Sequence, residues 1–253
     1  MPSLLARAAR VAGRVSPYAV VPFVLSLAAV EKVASAGGPG FSMNVKFALP
    51  ADVATLWTFV DPPARGVTLN TPVPLVALPV FLVVEAALVA GFLGGIRDAY
   101  RGQASDFFGA ATDHWLSILG VRVAQFVVFV GLGGAMLAGG PAGFVVALPL
   151  FFLLGYLVWG APYLVVLRDS DALTALVESA HVAAAGGDYL LFTVGYAFAV
   201  AVGSVVVSPL VSTAGVAGVL VGAALVAYPA LVGAAAATIV VDESADRVAS
   251  RGA

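Results

Sequence analysis

The sequence predicts an all-α, polytopic integral membrane protein with about six transmembrane helices, two inner interfacial amphipathic helices and one longer outer loop. Three observations carry this. The 253 residues are 61% hydrophobic and 10% charged, against roughly 25% charged in a soluble domain. The charged residues cluster in short segments separated by long uncharged runs. Those runs do not alternate in polarity, which excludes the ~10-residue alternating segments of a transmembrane barrel.

Six runs have the length to cross hydrocarbon, which takes ~20 residues in a helix. The first apolar run, 15–30, extends back through Val11 and forward to Ala36, giving a span over about 15–36. The second, 73–96, carries Glu85 as its only charge, and the third, 115–138, contains Arg122 and Gln125. The runs 142–167, 189–211 and 215–241 contain no charged residue. Prolines 79, 149, 162, 209 and 229 fall inside or at the ends of spans and predict kinks. Gly91 with Gly95, and Gly218 with Gly222, have the spacing that lets helix backbones approach closely.

Arginine placement sets the orientation. With six spans, eight arginines (7, 10, 14, 97, 101, 168, 247 and 251) fall on one side, and Lys32, Lys46 and Arg65 on the other. This bias puts both termini, including the tail 242–253, in the cytosol and the chain in the plasma membrane. A rival reading takes Ala34-Ser35-Ala36 as a signal-peptide cleavage site, leaving five spans and the N-terminus outside. Pro17 and Pro22 in the apolar stretch, with Glu31-Lys32 before the site, count against it.

The connecting segments have patterns of their own. Arg7, Arg10 and Arg14 line one side of a short helix whose other positions include Leu4, Leu5, Ala8 and Val11, so it either signals topology or lies on an anionic leaflet. In the outer loop, 31–70, Phe41, Met43, Val45 and Phe47 alternate with polar or small residues as in a half-buried strand. Val53, Leu56, Trp57 and Val60 then recur as the apolar stripe of a helix resting on the outer interface, stopped by Pro62-Pro63. This loop is either a plain cap or a lid over a ligand site.

On the inner side, Arg97-Asp98 after the second span is echoed by Arg168-Asp169 after the fourth, each followed by an amphipathic stretch. The first stretch, 104–114, turns Phe107, Phe108 and Ala111 to lipid and Asp106 and Asp113 to water. The second, 171–185, carries Asp171, Thr174, Glu178 and His181 on a polar face and Leu173, Leu176, Val177 and Ala184 on an apolar one. Ser170 is its predicted N-cap and Gly186-Gly187 its stop.

The stretch Tyr163-Leu164-Val165-Val166-Leu167-Arg168-Asp169, through Glu178-Ser179-Ala180-His181 to Asp188-Tyr189-Leu190, resembles the membrane domain fused to some glycerophosphodiester phosphodiesterases and its stand-alone prokaryotic relatives. The segment from Gly91 to Leu119 is a second, weaker match, and together they cover about a quarter of the chain. The resemblance implies a six-helix architecture. It assigns no activity, because the phosphodiesterase chemistry belongs to a separate soluble domain.

Direct signals for chemistry are lacking. There is no cysteine, and neither His114 nor His181 has a second histidine at ligand spacing. Asp113-His114 and Glu178 with His181 are carboxylate–imidazole pairs that a solvated helix face explains without further role. Gly-x-Ser-x-Gly elbows and phosphate-binding Gly-Lys-Ser/Thr loops do not occur. The reading is therefore of no catalytic, metal or cofactor site, and the net charge of −2 gives no footprint for nucleic acid.

Glu85 and Arg122 stand out, because a charge at mid-bilayer costs at least ~2.5 kcal/mol and calls for a partner or a purpose. Glu85 is twelve residues from Arg97, roughly 18 Å at helical rise. Consecutive antiparallel spans let it meet Arg122, with Gln125 nearby. The set is either a buried ion pair fixing helix register or the polar wall of a translocation path. Two functions follow: a non-catalytic protein organising lipid, a membrane-protein partner or a second copy of itself, and a small-molecule transporter or permease component.

Overall fold

Proline and glycine stand at several of the helix ends of this chain. A computed structural model describes residues 3–36, 44–61, 73 and 76–252. Among these the fold is all-helical, with no strand. Phe41, Met43, Pro62-Pro63, Arg65 and Asn70 lie outside the described residues.

α1 (Leu4–Arg14) is capped by the Ser3 hydroxyl, which accepts from the Ala6 amide at 3.3 Å, and it buries Ala8, Val11 and Ala12. A single 3-10 turn, Ser16–Ala19, begins with Pro17 in its first turn and leads into α2 (Val20–Ala28) at 95° to α1. The helix breaks again at Ala29, where ψ is 64°, before α3 (Val30–Ser35). The first span is thus two short helices rather than one continuous element. The break removes the partner of the Ser26 carbonyl, and the Trp57 indole N–H donates to it at 2.6 Å instead.

α5 (Leu78–Arg101) starts on Pro79 and ends on Gly102 at φ 75°, whose left-handed turn lets Gln103 N–H bond Asp98 C=O at 2.8 Å. α6 runs unbroken from Phe107 to Ala138, capped by Asp106, whose carboxylate accepts from Gly109 N–H at 2.9 Å. The separate interfacial helix read over 104–114 is therefore not formed. No glycine or proline separates it from the following span, so it becomes the first turns of α6.

α7 (Gly140–Val158) and α8 (Ala161–Arg168) are one apolar stretch interrupted at Trp159-Gly160, just before Pro162. Pro149, Pro209 and Pro229 instead lie inside helices that continue through them. α9 (Ala172–Ala185) is capped by Asp171 rather than Ser170, and left-handed Gly186 and Gly187 end it. Its outward face carries Leu173 and Val177, while Ala175, Ser179, Val182 and Ala183 pack inward. α10 (Asp188–Gly252) folds back on itself at Gly215, with φ 56° and ψ −133°. Arg247 pairs with Asp188 at 2.7 Å, so the segments 188–214 and 216–252 are antiparallel.

Among the described residues four helices are long and apolar enough to cross a membrane, and five if the bent pair Leu4–Arg14 and Ser16–Ala28 is one span. Residues 89–96 of α5, 161–167 of α8 and 234–241 of α10 are buried without interruption and form the core at one end. Seven arginines (7, 10, 14, 97, 101, 168 and 247) ring that end. Arg7 pairs with Glu243, so α1 and the end of α10 share it. Away from it, α6 and α7 expose Phe126, Val127, Val145, Val146 and Phe152. Such a band suits hydrocarbon, not water.

Glycine sets how closely these helices approach. A Cβ on Gly94 would lie 2.1 Å from the Ala110 Cβ of α6, and on Gly95 it would strike the Tyr18 ring at 1.8 Å. Gly91 receives the Phe107 ring, while Gly218 and Gly222 lie against 210–211 and against Leu56 with Val211. Gly94→Ala is expected to destabilise the protein by about 1–3 kcal/mol, since two helix backbones must separate. Gly131→Ala, whose Cβ meets nothing within 4 Å, is expected to be neutral. Thermal melting in detergent checks the pair.

Candidate functional site

The segment 44–61 is where the chain departs from helix among the spans. Its alternation is real but inverted relative to a strand packed on a core: Val45 and Phe47 are exposed, and the polar positions point inward. Lys46 N–H donates to the Ser204 hydroxyl at 3.0 Å, and the Lys46 ammonium to Trp57 C=O and to Asp61, each at 2.7 Å. The helix read over 53–60 is a single turn, α4 (Leu56–Phe59), because Val53, Leu56, Trp57 and Val60 are all buried against helices. Neither a surface cap nor a lid describes it. The segment is wedged between helices, with Phe59 against Gly203 and Leu49 against Gly155.

Asp52 is carried inward by this wedge. Both of its carboxylate oxygens accept from Arg122 Nη2, at 2.8 and 2.7 Å, and Val53 N–H adds a third bond at 2.9 Å. Glu85 lies on the other side of the same nitrogen at 3.4 Å. Arg122 is fifteen residues from the start of α6 and Glu85 sixteen from the end of α5, which is about 22 and 24 Å from the arginine-rich end. The matched depth brings them together. Asp52 has 3% of its side chain exposed, against 22–23% for the other two. Two carboxylates therefore surround one guanidinium, whose Nε is buried without a partner. Tyr163 fixes the wedge by donating its hydroxyl to Ala51 C=O at 2.9 Å.

Gln125 does not join this cluster. Its amide is directed at the Val158 carbonyl, 3.5 Å away, which has no helical donor because Pro162 lacks an N–H. Ser179 similarly donates to Leu157 C=O at 2.7 Å, and the Tyr189 hydroxyl accepts from Gly160 N–H at 3.2 Å, closing the break between α7 and α8.

Beside the ion cluster is an open cavity of about 340 Å³. Asp52, Arg122 and Gln125 form its polar part, and Phe47, Phe129, Phe151 and Phe152 are among its apolar walls. Glu85 does not line it.

The second set of candidates divides. Asp171 is occupied as the α9 cap, accepting from Leu173 and Thr174 amides at 2.9 and 3.0 Å and from the Thr174 hydroxyl at 2.7 Å. These bonds, the Thr174 hydroxyl foremost, hold its carboxyl below the usual value, so the cap is complete at neutral pH and weakens as acid protonates it. Glu178 and His181 instead line an open groove of about 560 Å³ between α9 and the end of α10, with Val177 and Val248.

The two Arg-Asp repeats meet in space. Arg97 pairs with Asp169 at 3.2 Å and donates to Val166 C=O at 3.0 Å, while Arg101 donates to Leu167 C=O at 2.6 Å, capping α8. His114 faces Asp169 at 3.5 Å and Arg97 at 3.3 Å, so its carboxylate neighbour is not the adjacent Asp113. Among the described residues no group of three or more metal-ligating side chains is assembled.

Asp52 is the site residue that sequence reasoning missed. Its signal is a carboxylate directly before the apolar stripe of Val53, Leu56, Trp57 and Val60, which the sequence reads as a helix resting on the outer interface. Comparison with known protein families, curated proteins and solved structures finds no match.

Removing one partner of a buried ion pair leaves the other charge uncompensated, at a cost of about 3–5 kcal/mol. Asp52→Asn and Arg122→Gln are each expected to approach that loss in detergent melts. The triple change Asp52→Asn, Glu85→Gln and Arg122→Met removes every charge and is expected to recover most of it. A triple variant no more stable than the singles would show that the cluster's charges are not what anchors the wedge.

Proposed function

We propose that this chain is a six-span membrane protein without catalytic activity that binds a lipid or lipid-like amphiphile from the side, in the cavity beside Asp52 and Arg122. The six crossings are the broken segment 16–35, made of the 3-10 turn, α2 and α3, then α5, α6, α7 with α8, and the two antiparallel halves of α10. Both termini face the cytosol of the plasma membrane, on the positive-inside argument from the arginine-rich end. The resemblance to the phosphodiesterase-associated membrane domain agrees with this count and adds no activity.

The cavity carries the reading. Its apolar walls include rings exposed toward the flank of the molecule, Phe47, Phe151 and Phe152, while its polar part is the Asp52–Arg122 pair and the Gln125 amide. That division matches an amphiphile entering from hydrocarbon with its polar group directed at Arg122. Among the described residues the cavity lining has no serine, threonine, histidine or lysine, and its one carboxylate, Asp52, is paired with Arg122.

Native mass spectrometry of protein extracted with its lipids tests it. A retained lipid-sized adduct is expected, and Ala48→Phe, which adds a ring to the cavity wall, is expected to abolish it. Absence of any adduct, or one that Ala48→Phe leaves untouched, would remove this reading.

The two carboxylates around one guanidinium at mid-depth favour a second reading, a small-molecule transporter or permease component. It ranks behind because Glu85 does not line the cavity. In proteoliposomes, any flux through this cluster is expected to be lost in Glu85→Gln, and a flux that survives rules the path out.

A further inference from the structure

Arginine side chains carry five N–H donors in a planar fork and match phosphate oxygens in pairs. Three of them, Arg7, Arg10 and Arg14, lie on α1 at the arginine-rich end. Arg7 is held by Glu243 from α10, and Arg14 donates to the Ala99 carbonyl of α5 at 2.9 Å. Arg10 donates only to Ala6 C=O of its own helix, at 3.4 Å, and forms no ion pair among the described residues. Each guanidinium therefore keeps donors to spare.

The three line one open cavity of about 190 Å³, with the Tyr100 ring, Val11 and the fully buried Ile239 completing its walls. Of the carboxylates nearby, Glu243 is committed to Arg7, and Asp242, which neighbours the Tyr100 hydroxyl, lies 3.5 Å from Arg168. Three guanidinium charges thus face one carboxylate in direct contact, leaving an excess of positive charge over an apolar floor.

The placement of α1 selects the source of the anion. It lies at 95° to the helix that follows, so with the spans upright it runs along the membrane surface. Leu5 projects from it, 69% exposed, where acyl chains would cover it. We propose that this cavity binds the phosphodiester headgroup of an anionic phospholipid in the leaflet at the arginine-rich end. Arg10 supplies the free fork, and Arg7 and Arg14 are pinned at the rim by the ends of α10 and α5. The proposal rests on the membrane reading above but not on the cavity beside Asp52.

Titration of the detergent-solubilised full chain with phosphatidylglycerol, phosphatidylcholine or inorganic phosphate at one salt concentration, followed by thermal melting, tests it. Phosphatidylglycerol is expected to raise the melting temperature and phosphatidylcholine to leave it unchanged. One surface arginine contributes about 1 kcal/mol to binding an anionic leaflet, so Arg10→Gln is expected to weaken apparent phosphatidylglycerol affinity about fivefold. Arg247→Gln removes a charge at the same end but outside the cavity and is expected to leave the affinity unchanged, as is Ala48→Phe at the other cavity. If Arg10→Gln loses its melt, Arg10→Lys carries the comparison, because it keeps the charge and loses the fork. An unchanged affinity in the Arg10 variant, or an equal loss in Arg247→Gln, overturns the site. Stabilisation by inorganic phosphate as large as by phosphatidylglycerol overturns the lipid as its ligand.

Discussion

Buried backbone outside a helix has to find its partners elsewhere in the protein, and the pairing of Asp52 with Arg122 is how this chain anchors such a segment. The segment 44–61 has little helix of its own, so its N–H and C=O groups lack the internal ladder that makes the spans self-sufficient. They are satisfied from outside: Ser204 accepts from Lys46, Ser26 from Leu56, and Tyr163 donates to Ala51. The carboxylate of Asp52 locks the centre of the segment to α6. Without it, Arg122 would keep only the longer contact to Glu85, and the segment would lose its tie to α6.

The same requirement explains the breaks in the helices. At three of the interruptions an exposed carbonyl has been given a side chain from another element. Trp57 serves Ser26 at the break after α2, Ser179 serves Leu157 at the break after α7, and Arg97 and Arg101 serve the end of α8. Broken helices are thus tied together by the defects that broke them. Since every such tie joins elements distant in sequence, the breaks specify tertiary arrangement as much as they relax secondary structure.

Charge divides the molecule by depth. The arginine-rich end is held by ion pairs between helix termini, Arg7 with Glu243, Arg168 with Asp246 and Arg247 with Asp188, which exposed positions make individually weak. The mid-depth cluster has fewer members but is shielded from water, so each removal counts for more. A lipid held at the first would be recognised by charge, and one held at the second by shape and apolar contact. The two proposed sites therefore differ in salt dependence as well as in place.

The sequence by itself determined the helical class, the long apolar runs and the asymmetry of arginine, and it put Glu85 and Arg122 at depths where they could meet. All of these follow from composition, from run length and from helical rise, which are properties of single segments. Tertiary structure alone decided that Asp52 is the nearer partner of Arg122, that Gln125 turns to the Val158 carbonyl, and that the stretch 44–61 is a wedge. The stripe of Val53, Leu56, Trp57 and Val60 is the same whether it meets an interface or the flank of other helices, and period alone cannot tell these apart. Which partner wins depends on where a segment distant in sequence comes to lie. That is fixed by packing: glycines at 94, 95 and 203 let neighbours close in, and Pro162 leaves the Val158 carbonyl to a side chain distant in sequence, Gln125.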